Sequence, residues 1–325
     1  MTCLWALPSC AHAPVQAVQR RCAGLPTPGQ VTITILKASS FSIPAGLAAS
    51  CAELPVGAGW LARLPSLVRD VAERWSLTLS DPFDSGDVSC SWVARAVRAG
   101  GTPAVLKLGM PHMEGEDELL GLRFWNGDPT VQLIESDETL NAMLLERCDP
   151  GTTLRSSPEV EQDIVIAGLL QRLWRDPPPK SPFRPLAMML AHWSDETRAA
   201  PEQWSDAGLV NEALQLFVDL PATAPRNVVL ATDLHAGNVL RAQREPWLVI
   251  DPKPFVGDPA YDATQHLFNC RERMREDPLG TIRRVADLLG VDHERVRLWT
   301  FARAASEPKD VWGGQASAIA RALAL

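Results

Sequence analysis

The stretch LATDLHAGNVLRAQREPWLVIDPKP, residues 230–254, indicates how this sequence folds and which polar side chains meet. The runs VLR and WLVI flank the turn AQREP and predict a β-hairpin, with Asp251 just past its second strand. Because a hairpin folds back on itself, Asn238 and Asp251 can face one another across its open end. Asp233 lies in the loop that precedes the hairpin. The stretch therefore predicts that two carboxylates and one amide converge.

An amide oxygen and a carboxylate that converge in this way suit a hard cation. Mg²⁺ binds one or two carboxylates together with substrate phosphates. In kinases one aspartate handles the acceptor hydroxyl while an asparagine and a second aspartate hold the metal. Taken singly, each residue also fits an ordinary turn or loop. The ordered triple favours Asp233 as the catalytic residue, with Asn238 and Asp251 as metal ligands.

Lys107 interrupts the apolar run AVLKL, residues 104–108, in a chain with few lysines. A lysine within a buried strand needs a partner, unless the strand lies at an edge and the ammonium reaches water. In kinases such a lysine contacts the nucleotide phosphates and pairs with a glutamate of the next helix. That helix, predicted over 114–125, offers three carboxylates: Glu114, Glu116 and Glu118. We expect Glu118 to be the partner because it lies on the apolar stripe of the helix.

Two further segments complete a nucleotide-site hypothesis. Backbone groups of Glu146, Arg147 and Cys148, in LLERCDPG, could pair with an adenine edge. The segment SGDVSCSW, residues 85–92, could close over phosphates or form an ordinary hairpin turn. Cys148 is expected to pack rather than to act as a nucleophile, because no companion base is evident.

The chain divides into a strand-rich half, about residues 40–145, and a helix-rich half, about residues 151–325. This pattern predicts an α+β fold of two lobes. We place the nucleotide-binding lobe at 39–147 and the lobe with the catalytic loop at 148–325. Residues 1–38 lack periodicity and are expected to be a disordered extension or the product of a start codon placed too far upstream.

Local signals predict several helix boundaries. Residues 60–75 form one apolar stripe, and Pro65 is expected near the start of that helix. Ser157 is expected to cap a helix whose first residue is Pro158. Gly290 is expected to end one helix and Asp292 to cap the next. Three long amphipathic helices are predicted at 158–174, 183–199 and 204–219.

Composition restricts the class of protein. The 325 residues carry a net charge of −8, so the basic footprint typical of nucleic-acid binding is not visible in the sequence. An acidic protein suits a small cationic substrate, although in most acidic proteins the charge only maintains solubility. The seven cysteines are scattered, which fits a reducing cytoplasm better than a disulfide framework. No apolar run reaches the roughly 18 residues of a membrane helix. We therefore expect a cytoplasmic enzyme; the sequence leaves its oligomeric state open.

Five motifs together resemble the aminoglycoside phosphotransferases, and within them the streptomycin 6-kinase branch, which is also linked to hydroxyurea resistance. These motifs are VLKL, LLERCDPGTTL, DLHAGNVL, WLVIDPKPFVGDPAYD and LWTFARA. The resemblance runs from about residue 41 to the C-terminus. It implies a protein-kinase-like fold and Mg²⁺-dependent transfer of the ATP γ-phosphate to an aminoglycoside hydroxyl. The acceptor implied most directly is the 6-hydroxyl of streptomycin, and the consequence is resistance.

Matching motifs carry the family's roles onto this chain. Asp233 would be the catalytic aspartate, and Asn238 and Asp251 the Mg²⁺ ligands. Lys107, oriented by Glu118, would hold the α- and β-phosphates. Residues 146–148 would form the nucleotide hinge. The two aspartates of GDPAYD, Asp258 and Asp262, are expected mainly to support the catalytic loop and the helix after it.

The chain departs from the family just before the catalytic aspartate. The family reads His-Gly-Asp, whereas this sequence reads Ala231-Thr232-Asp233. Ala231 cannot make the hydrogen bonds that brace the loop in relatives, so we expect slower turnover with the chemistry retained. Thr232 could crowd a backbone position usually held by glycine. His235, inside the loop, is expected to make local hydrogen bonds rather than act as a base.

The sequence is also compatible with other functions. Kinases of similar fold act on choline, sugars or homoserine, and Ala231 raises the alternative of a nucleotide-binding pseudokinase. A metal-dependent hydrolase would need several histidine ligands and would leave Lys107 unexplained. For streptomycin, guanidinium groups prefer carboxylate forks. The helical lobe offers five candidates: Asp195, Glu196, Glu202, Asp206 and Glu212.

Overall fold

The computed structural model describes residues 41–84 and 90–324. The expected extension at 1–38 lies outside the described residues, as does most of the phosphate-loop candidate, residues 85–89. Within the described ranges, no helix combines the length and the hydropathy that a membrane crossing requires.

The first lobe is a five-stranded antiparallel sheet with three helices. Its helices are α1 (Ala45–Glu53), α2 (Gly57–Arg74) and α3 (Glu118–Trp125). Its strands are β1 (Leu77–Pro82), β2 (Ser91–Arg98), β3 (Pro103–Gly109), β4 (Leu133–Asp137) and β5 (Ala142–Glu146). The strand order is β1-β2-β3-β5-β4, so β3 lies at the centre. Lys107 of β3 pairs with Val93 and Met143 on its two sides, which excludes an edge-strand lysine.

Helix α2 contains Pro65 in its interior, so the expectation that this proline lies near a helix start is wrong. The buried stripe of the helix continues on both sides of the proline, through Trp60, Leu64 and Val68. These side chains share one core with the sheet. Their burial compensates for the single backbone hydrogen bond that a proline removes.

Helix α3 begins at Glu118, four residues later than predicted. Residues just before the helix make tertiary contacts instead of continuing it. Asp117 accepts a hydrogen bond of 2.7 Å from Arg184 Nε, and Glu114 accepts one of 3.1 Å from Trp193 Nε1. Contacts with the other lobe therefore outweigh the helix propensity of the acidic segment.

The second lobe is helical and encloses the largest hydrophobic core. Its helices are α4 (Glu159–Leu173), α5 (Leu186–Ala199), α6 (Ala207–Ala222), α7 (Pro259–Asn269), α8 (Arg271–Glu276), α9 (Pro278–Leu289), α10 (His293–Ser306) and α11 (Gln315–Leu323). The three long helices predicted are confirmed, each with a later start. Gly290 ends α9 in the left-handed conformation, and Asp292 caps α10 through the Arg295 N–H, both as predicted.

The predicted cap of α4 is wrong. Pro158 is the N-cap residue rather than the first helical residue, and Ser157 makes no capping hydrogen bond. The ψ of Pro158 is 142°, outside the helical range, while its carbonyl accepts from Glu161 N and Gln162 N. An extended proline can therefore start the ladder without a side-chain cap.

Four short strands form the frame of the predicted catalytic segment. Strand β6 (Val228–Leu230) pairs with β9 (Phe255–Gly257), and β7 (Val239–Arg241) pairs with β8 (Trp247–Val249). The β7–β8 pair is the predicted hairpin. The β6–β9 pair encloses it, so the loop after β6 and the loop after β8 lie side by side.

The architecture is α+β and two-lobed, with a sheet-rich first lobe and a helical second lobe, as predicted. A hydrophobic cluster joins α3, β5 and β8 through Leu122, Leu145 and Leu248. We retain 39–147 and 148–325 as the proposed lobe boundaries, since β5 ends at Glu146.

Candidate active site

A cleft of about 450 Å³ is lined by residues of both lobes. Every site residue predicted from the sequence borders it: Lys107, Glu118, Glu146, Arg147, Cys148, Asp233, Asn238 and Asp251. These positions span more than 140 residues of sequence, so only the tertiary fold brings them together.

Lys107 lies at the junction of the two lobes. Its Nζ is 2.6 Å from both carboxylate oxygens of Glu118 on α3 and 2.6 Å from Oδ1 of Asp251 after β8. Of the three glutamates considered from the sequence, Glu118 is the one that pairs with Lys107. The lysine therefore ties the sheet to α3 and to the catalytic segment at once.

Burial shapes the charges of this triad. It raises the pKa of Glu118 to about 7, against the attraction of Lys107. For Asp251 the attraction of nearby cations outweighs the effect of burial. Burial alone would raise the pKa of Asp251, but Lys107 and Lys253 lower it to about 2. The Lys107 ammonium, although buried, has a raised pKa because Asp251 and Glu118 stabilise its charge. Asp251 is therefore ionised throughout the neutral pH range.

Asp233 is held by two neighbours. Its Oδ2 lies 2.7 Å from Lys253 Nζ, and its Oδ1 accepts a hydrogen bond of 2.8 Å from Gln265 Nε2 on α7. Gln265 is fixed in turn by Arg303 of α10, which donates to its Oε1 at 2.9 Å. Burial alone would lower the pKa of Lys253, but Asp233 and Asp251 raise it well above its usual value. A permanent cation thus stands between the two aspartates.

The carboxylate of Asp262, on the first turn of α7, braces the loop that carries Asp233. Its oxygens accept the N–H of Ala231 at 3.0 Å, the N–H of Thr232 at 2.8 Å and the Trp174 indole N–H at 2.9 Å. Burial raises the pKa of Asp262 to about 6, while these donors favour the charged form. The brace acts on backbone groups, so it does not require a histidine side chain at position 231.

Thr232 adopts a φ of 46°, in the left-handed region that favours glycine. For a β-branched residue this conformation is strained, by about 1–2 kcal/mol. The hydroxyl of Thr232 offsets part of that cost by donating to the carbonyl oxygen of Lys253 at 2.6 Å. The position usually held by glycine therefore does require a positive φ, and Thr232 tolerates it through a bond that glycine cannot make.

The amide and carboxylate predicted as metal ligands lie next to one another. The N–H of Ile250 donates to the Asn238 carbonyl at 2.9 Å, which aligns β8 with the end of the loop. Asn238 Nδ2 donates to the Asp233 carbonyl at 3.0 Å, so its Oδ1 is left as the acceptor atom. Asp251 uses Oδ1 for Lys107, and its side chain remains 39% exposed. Among the residues that the structure describes, none donates to Asn238 Oδ1 or to the second carboxylate oxygen of Asp251. One amide oxygen and one carboxylate oxygen form a donor set that fits Mg²⁺.

The segment after β5 lines the opposite end of the cleft. The N–H of Glu146 already donates to the carbonyl of Gln132 at 2.8 Å, and its carboxylate pairs with Arg244. Among described residues, Arg147 and Cys148 make no backbone–backbone hydrogen bond. Recognition of a base edge would therefore fall to Arg147 and Cys148 rather than to the Glu146 N–H. Burial raises the pKa of the Cys148 thiol to about 11, which agrees with a packing role.

Other sequence expectations meet mixed outcomes. His235 Nδ1 accepts from Gly237 N at 3.0 Å, which is the local role predicted. Asp258 caps α7 and bonds Trp299 Nε1, and neither it nor Asp262 lines the cleft. The five carboxylates considered for a cationic substrate also lie outside it, because they occupy other faces of α5 and α6 or the turn between these helices: Asp195, Glu196, Glu202, Asp206 and Glu212.

Sequence reasoning missed Lys253, Gln265 and Arg303. Lys253 carried a usable signal, because it is one of five lysines and follows Asp251 by two residues. Gln265 and Arg303 carried none, since their partners lie 32 and 38 residues away in sequence.

A buried group of Asp163, His266 and Cys270 has the composition of a metal site but lies outside the cleft. Asp163 already receives hydrogen bonds from Arg273 and Arg284, which supply positive charge to that position. The group is therefore a structural ion-pair network joining α4, α7, α8 and α9.

Comparison with known proteins agrees with this geometry. The pattern of the aminoglycoside/hydroxyurea antibiotic resistance kinase family matches residues 74–312. A streptomycin 6-kinase of Streptomyces glaucescens is 38% identical over 80% of this chain and 88% of its own length. A hydroxyurea phosphotransferase of Kitasatospora aureofaciens is 37% identical over 74% of this chain and 71% of its own length.

Among solved structures, the choline kinase LicA of Streptococcus pneumoniae superposes with a TM-score of 0.55 at 13% identity. The match covers 79% of this chain and 97% of that one, and it shows a shared kinase-like fold. The chain therefore belongs to the aminoglycoside/hydroxyurea antibiotic resistance kinase family and is a phosphotransferase with a hydroxyl acceptor.

Proposed function

We propose that this protein transfers the γ-phosphate of ATP, with Mg²⁺, to the 6-hydroxyl of streptomycin. The observation that carries the proposal is the position of Asp233. Its carboxylate is fixed by Lys253 and Gln265 in the same cleft as Asn238, Asp251 and Lys107. A positioned carboxylate beside a cation and a metal donor set is what phosphoryl transfer to a hydroxyl needs.

The nucleotide would lie between the sheet and the hairpin. Apolar side chains line that end of the cleft and offer a surface for a base: Val93, Val105, Val131, Leu145, Leu240 and Ile250. Lys107, kept in place by Glu118, would contact the α- and β-phosphates. We assign Glu146, Arg147 and Cys148 to the hinge, with the backbone of the last two facing the base.

Asn238 and Asp251 would hold the metal ion through the two oxygens that remain free. When bound, Mg²⁺ would neutralise negative charge on the phosphates. The Asn238 side chain is set for this role by its bond to the Asp233 carbonyl, which turns the amide nitrogen away from the ligand position.

Asp233 would accept a hydrogen bond from the acceptor hydroxyl and orient its oxygen toward the γ-phosphorus. In the transfer, the acceptor O–H bond breaks and a new O–P bond forms, while the bond from the γ-phosphorus to the ADP oxygen breaks. The proton passes to Asp233 and then to solvent. Lys253, between Asp233 and Asp251, would stabilise negative charge on the transferred group.

Support for the acceptor comes from similarity and from charge. The relatives that match most of this chain are named as kinases of streptomycin and of hydroxyurea. The chain carries a net charge of −8, which attracts a cationic antibiotic more than a neutral one. We therefore place streptomycin first and hydroxyurea second.

The test is product formation with purified protein, ATP and Mg²⁺, followed by mass spectrometry of each acceptor. We expect phosphorylated streptomycin from the wild type and a loss of at least about a thousandfold in the Asp233→Ala variant. Asp206→Asn, which alters an exposed helix cap, serves as the control and should retain activity. Phosphorylated hydroxyurea alone would transfer the assignment to the second acceptor. Equal product from wild type and Asp233→Ala would refute the mechanism.

A further inference from the structure

The cleft extends past Asp233 into a region that the phosphoryl-transfer chemistry does not use. This region is built by α5, α7, α10 and the segment before α3. Its walls combine large apolar side chains with two carboxylates: Met189, Trp193, Phe268, Glu114 and Glu307. We call this region the acceptor pocket.

Glu307 directly follows α10 and is only 7% exposed. Its Oε2 is fully buried and accepts no hydrogen bond from any residue that the structure describes. Leaving a buried carboxylate oxygen unpaired costs free energy, and nearly all such atoms in proteins have partners. An unpaired oxygen in the wall of a cleft therefore points to a ligand that completes it.

Arg303, the cation that acts on the pKa of Glu307, makes no ion pair with it among the described residues. Arg303 lies four residues earlier on α10, but its guanidinium donates to Thr264 Oγ1 at 2.6 Å and to Gln265 Oε1 at 2.9 Å. These bonds direct the guanidinium of Arg303 toward Gln265, which in turn holds Asp233. Burial raises the pKa of Glu307 to about 7, Arg303 opposes that rise, and Glu114 adds to it. The contribution of Glu114 to the pKa of Glu307 shows that the two carboxylates lie near one another in the pocket.

Glu114 is oriented but not neutralised. Its Oε1 accepts the Trp193 indole N–H at 3.1 Å, which fixes the carboxylate against the wall of the pocket. In the described part of the chain it has no salt-bridge partner within 4.0 Å. Both carboxylates thus offer free acceptor capacity beside aromatic rings, the combination that suits a guanidinium better than a compact ammonium.

We propose that Glu307 and Glu114 form a subsite that binds a guanidinium group of the acceptor and so orients its hydroxyl toward Asp233. This inference rests on the proposed function for the identity of the acceptor, though the binding of a guanidinium can be measured without any transfer. The subsite would select cationic aminocyclitols over neutral polyols and over hydroxyurea.

The experiment is equilibrium binding of streptomycin, without ATP, measured by titration calorimetry. The variants are Glu307→Gln and Glu114→Gln, which keep shape and an acceptor oxygen but remove the charge. We expect each variant to weaken binding about tenfold or more, because a charged hydrogen-bonded pair is replaced by a neutral one. Asp195→Asn, an 82% exposed carboxylate on α5 outside the pocket, is the matched control and should bind as wild type does.

Thermal unfolding separates binding from folding. Glu307→Gln removes a buried unpaired charge, so its midpoint should equal or exceed that of the wild type while its affinity falls. If both glutamate variants bind streptomycin as tightly as the wild type does, the subsite is refuted. This holds even if the protein phosphorylates streptomycin and Asp233→Ala abolishes that activity. Weakened binding in the variants without any phosphorylation upholds the subsite and refutes the proposed function. A wild type that does not bind streptomycin overturns both.

Discussion

At the residue scale, the ion pair with Lys253 fixes the position of Asp233, the proposed catalytic aspartate. A carboxylate 2.7 Å from a buried ammonium is held in place as a hydrogen-bond acceptor. This suits phosphoryl transfer, in which positioning and charge stabilisation matter more than strong base catalysis. Lys253 and Lys107 together place two cations near Asp251, and both lower its pKa.

Lys253→Met tests this arrangement. The substitution keeps most of the side-chain volume and removes the charge, so negative charge on the transferred phosphoryl group loses one stabilising partner. We expect kcat to fall by about a hundredfold or more, while the dissociation constant for the acceptor changes little. Steady-state kinetics and acceptor binding give the two quantities.

Two further variants interpret that result. Lys253→Arg keeps the charge in a different shape and should recover part of kcat. Lys309→Met, at an exposed lysine of the same lobe, should leave kcat unchanged. A kcat close to wild type in Lys253→Met would mean that the lysine only balances the charge of Asp233 in the folded state.

The roles of single residues could be predicted from the sequence only where they follow a local pattern. Asp233, Asn238 and Asp251 were found because one hairpin orders them, and Glu118 because it shares a helix face with apolar residues. The left-handed conformation of Thr232 could not be read, since it results from the way Asp262 and Lys253 hold the loop.

At the element scale, α7 holds the loop that carries Asp233, the proposed catalytic residue. Its first turn supplies Asp262 to the backbone of Ala231 and Thr232, and its second turn supplies Gln265 to Asp233. One helix face thus fixes both the backbone and the reactive side chain. The backbone of the loop is thus held without any hydrogen bond from the side chain of residue 231, which is alanine.

Asp262→Asn should weaken the hydrogen bonds that hold the backbone of this loop. An asparagine offers one oxygen and one NH₂ group to three N–H donors, so at least one buried donor loses its partner and meets another donor. We expect a loss of about 2 kcal/mol or more in the free energy of unfolding, together with a lower kcat. Chemical denaturation and steady-state kinetics measure the two effects.

The control for this prediction lies at the other end of the same helix. Asn269→Ala removes only a bond to a carbonyl within α7 and should cost less than about 1 kcal/mol. If Asp262→Asn proved as stable and as active as wild type, the backbone of the loop would not depend on that carboxylate.

Helix boundaries show why elements were predicted better than their ends. Periodicity located α2 and α4, but it could not show that Pro65 lies within a continuous stripe or that Pro158 starts α4 unaided. The late start of α3 depends on Arg184 and Trp193, which come from the other lobe. Ends are decided by contacts that are distant in sequence.

At the scale of the whole molecule, α3 is an element that contacts both lobes. Glu118 pairs with Lys107, and Trp125 donates its indole N–H to the Leu173 carbonyl of α4 at 2.9 Å. At the start of the helix, Asp117 binds Arg184, which lies two residues before α5. The helix is therefore fixed to the sheet at one position and to the helical lobe at two.

The Arg184–Asp117 pair should couple folding to nucleotide binding. Both side chains are mostly buried, 18% and 11% exposed, and Arg184 also lies over the ring of Phe255 at 5.1 Å. Arg184→Met leaves Asp117 without its cation, so we expect the free energy of unfolding to fall by about 2 kcal/mol, below the full penalty of a completely buried pair. Because Glu118 adjoins Asp117, the KM for ATP should rise as well.

A double-mutant cycle with Asp117→Asn isolates the interaction between the two lobes. The double variant should recover part of the stability lost in Arg184→Met, because it no longer buries an unpaired carboxylate. Arg198→Met breaks an exposed pair with Asp195 on α5 and should change neither quantity measurably. Reduced stability with an unchanged KM for ATP would show that the pair holds the lobes together without positioning Glu118. A rise in KM that disappears in the double variant would show that the orientation of α3, and through it Lys107, depends on the helical lobe.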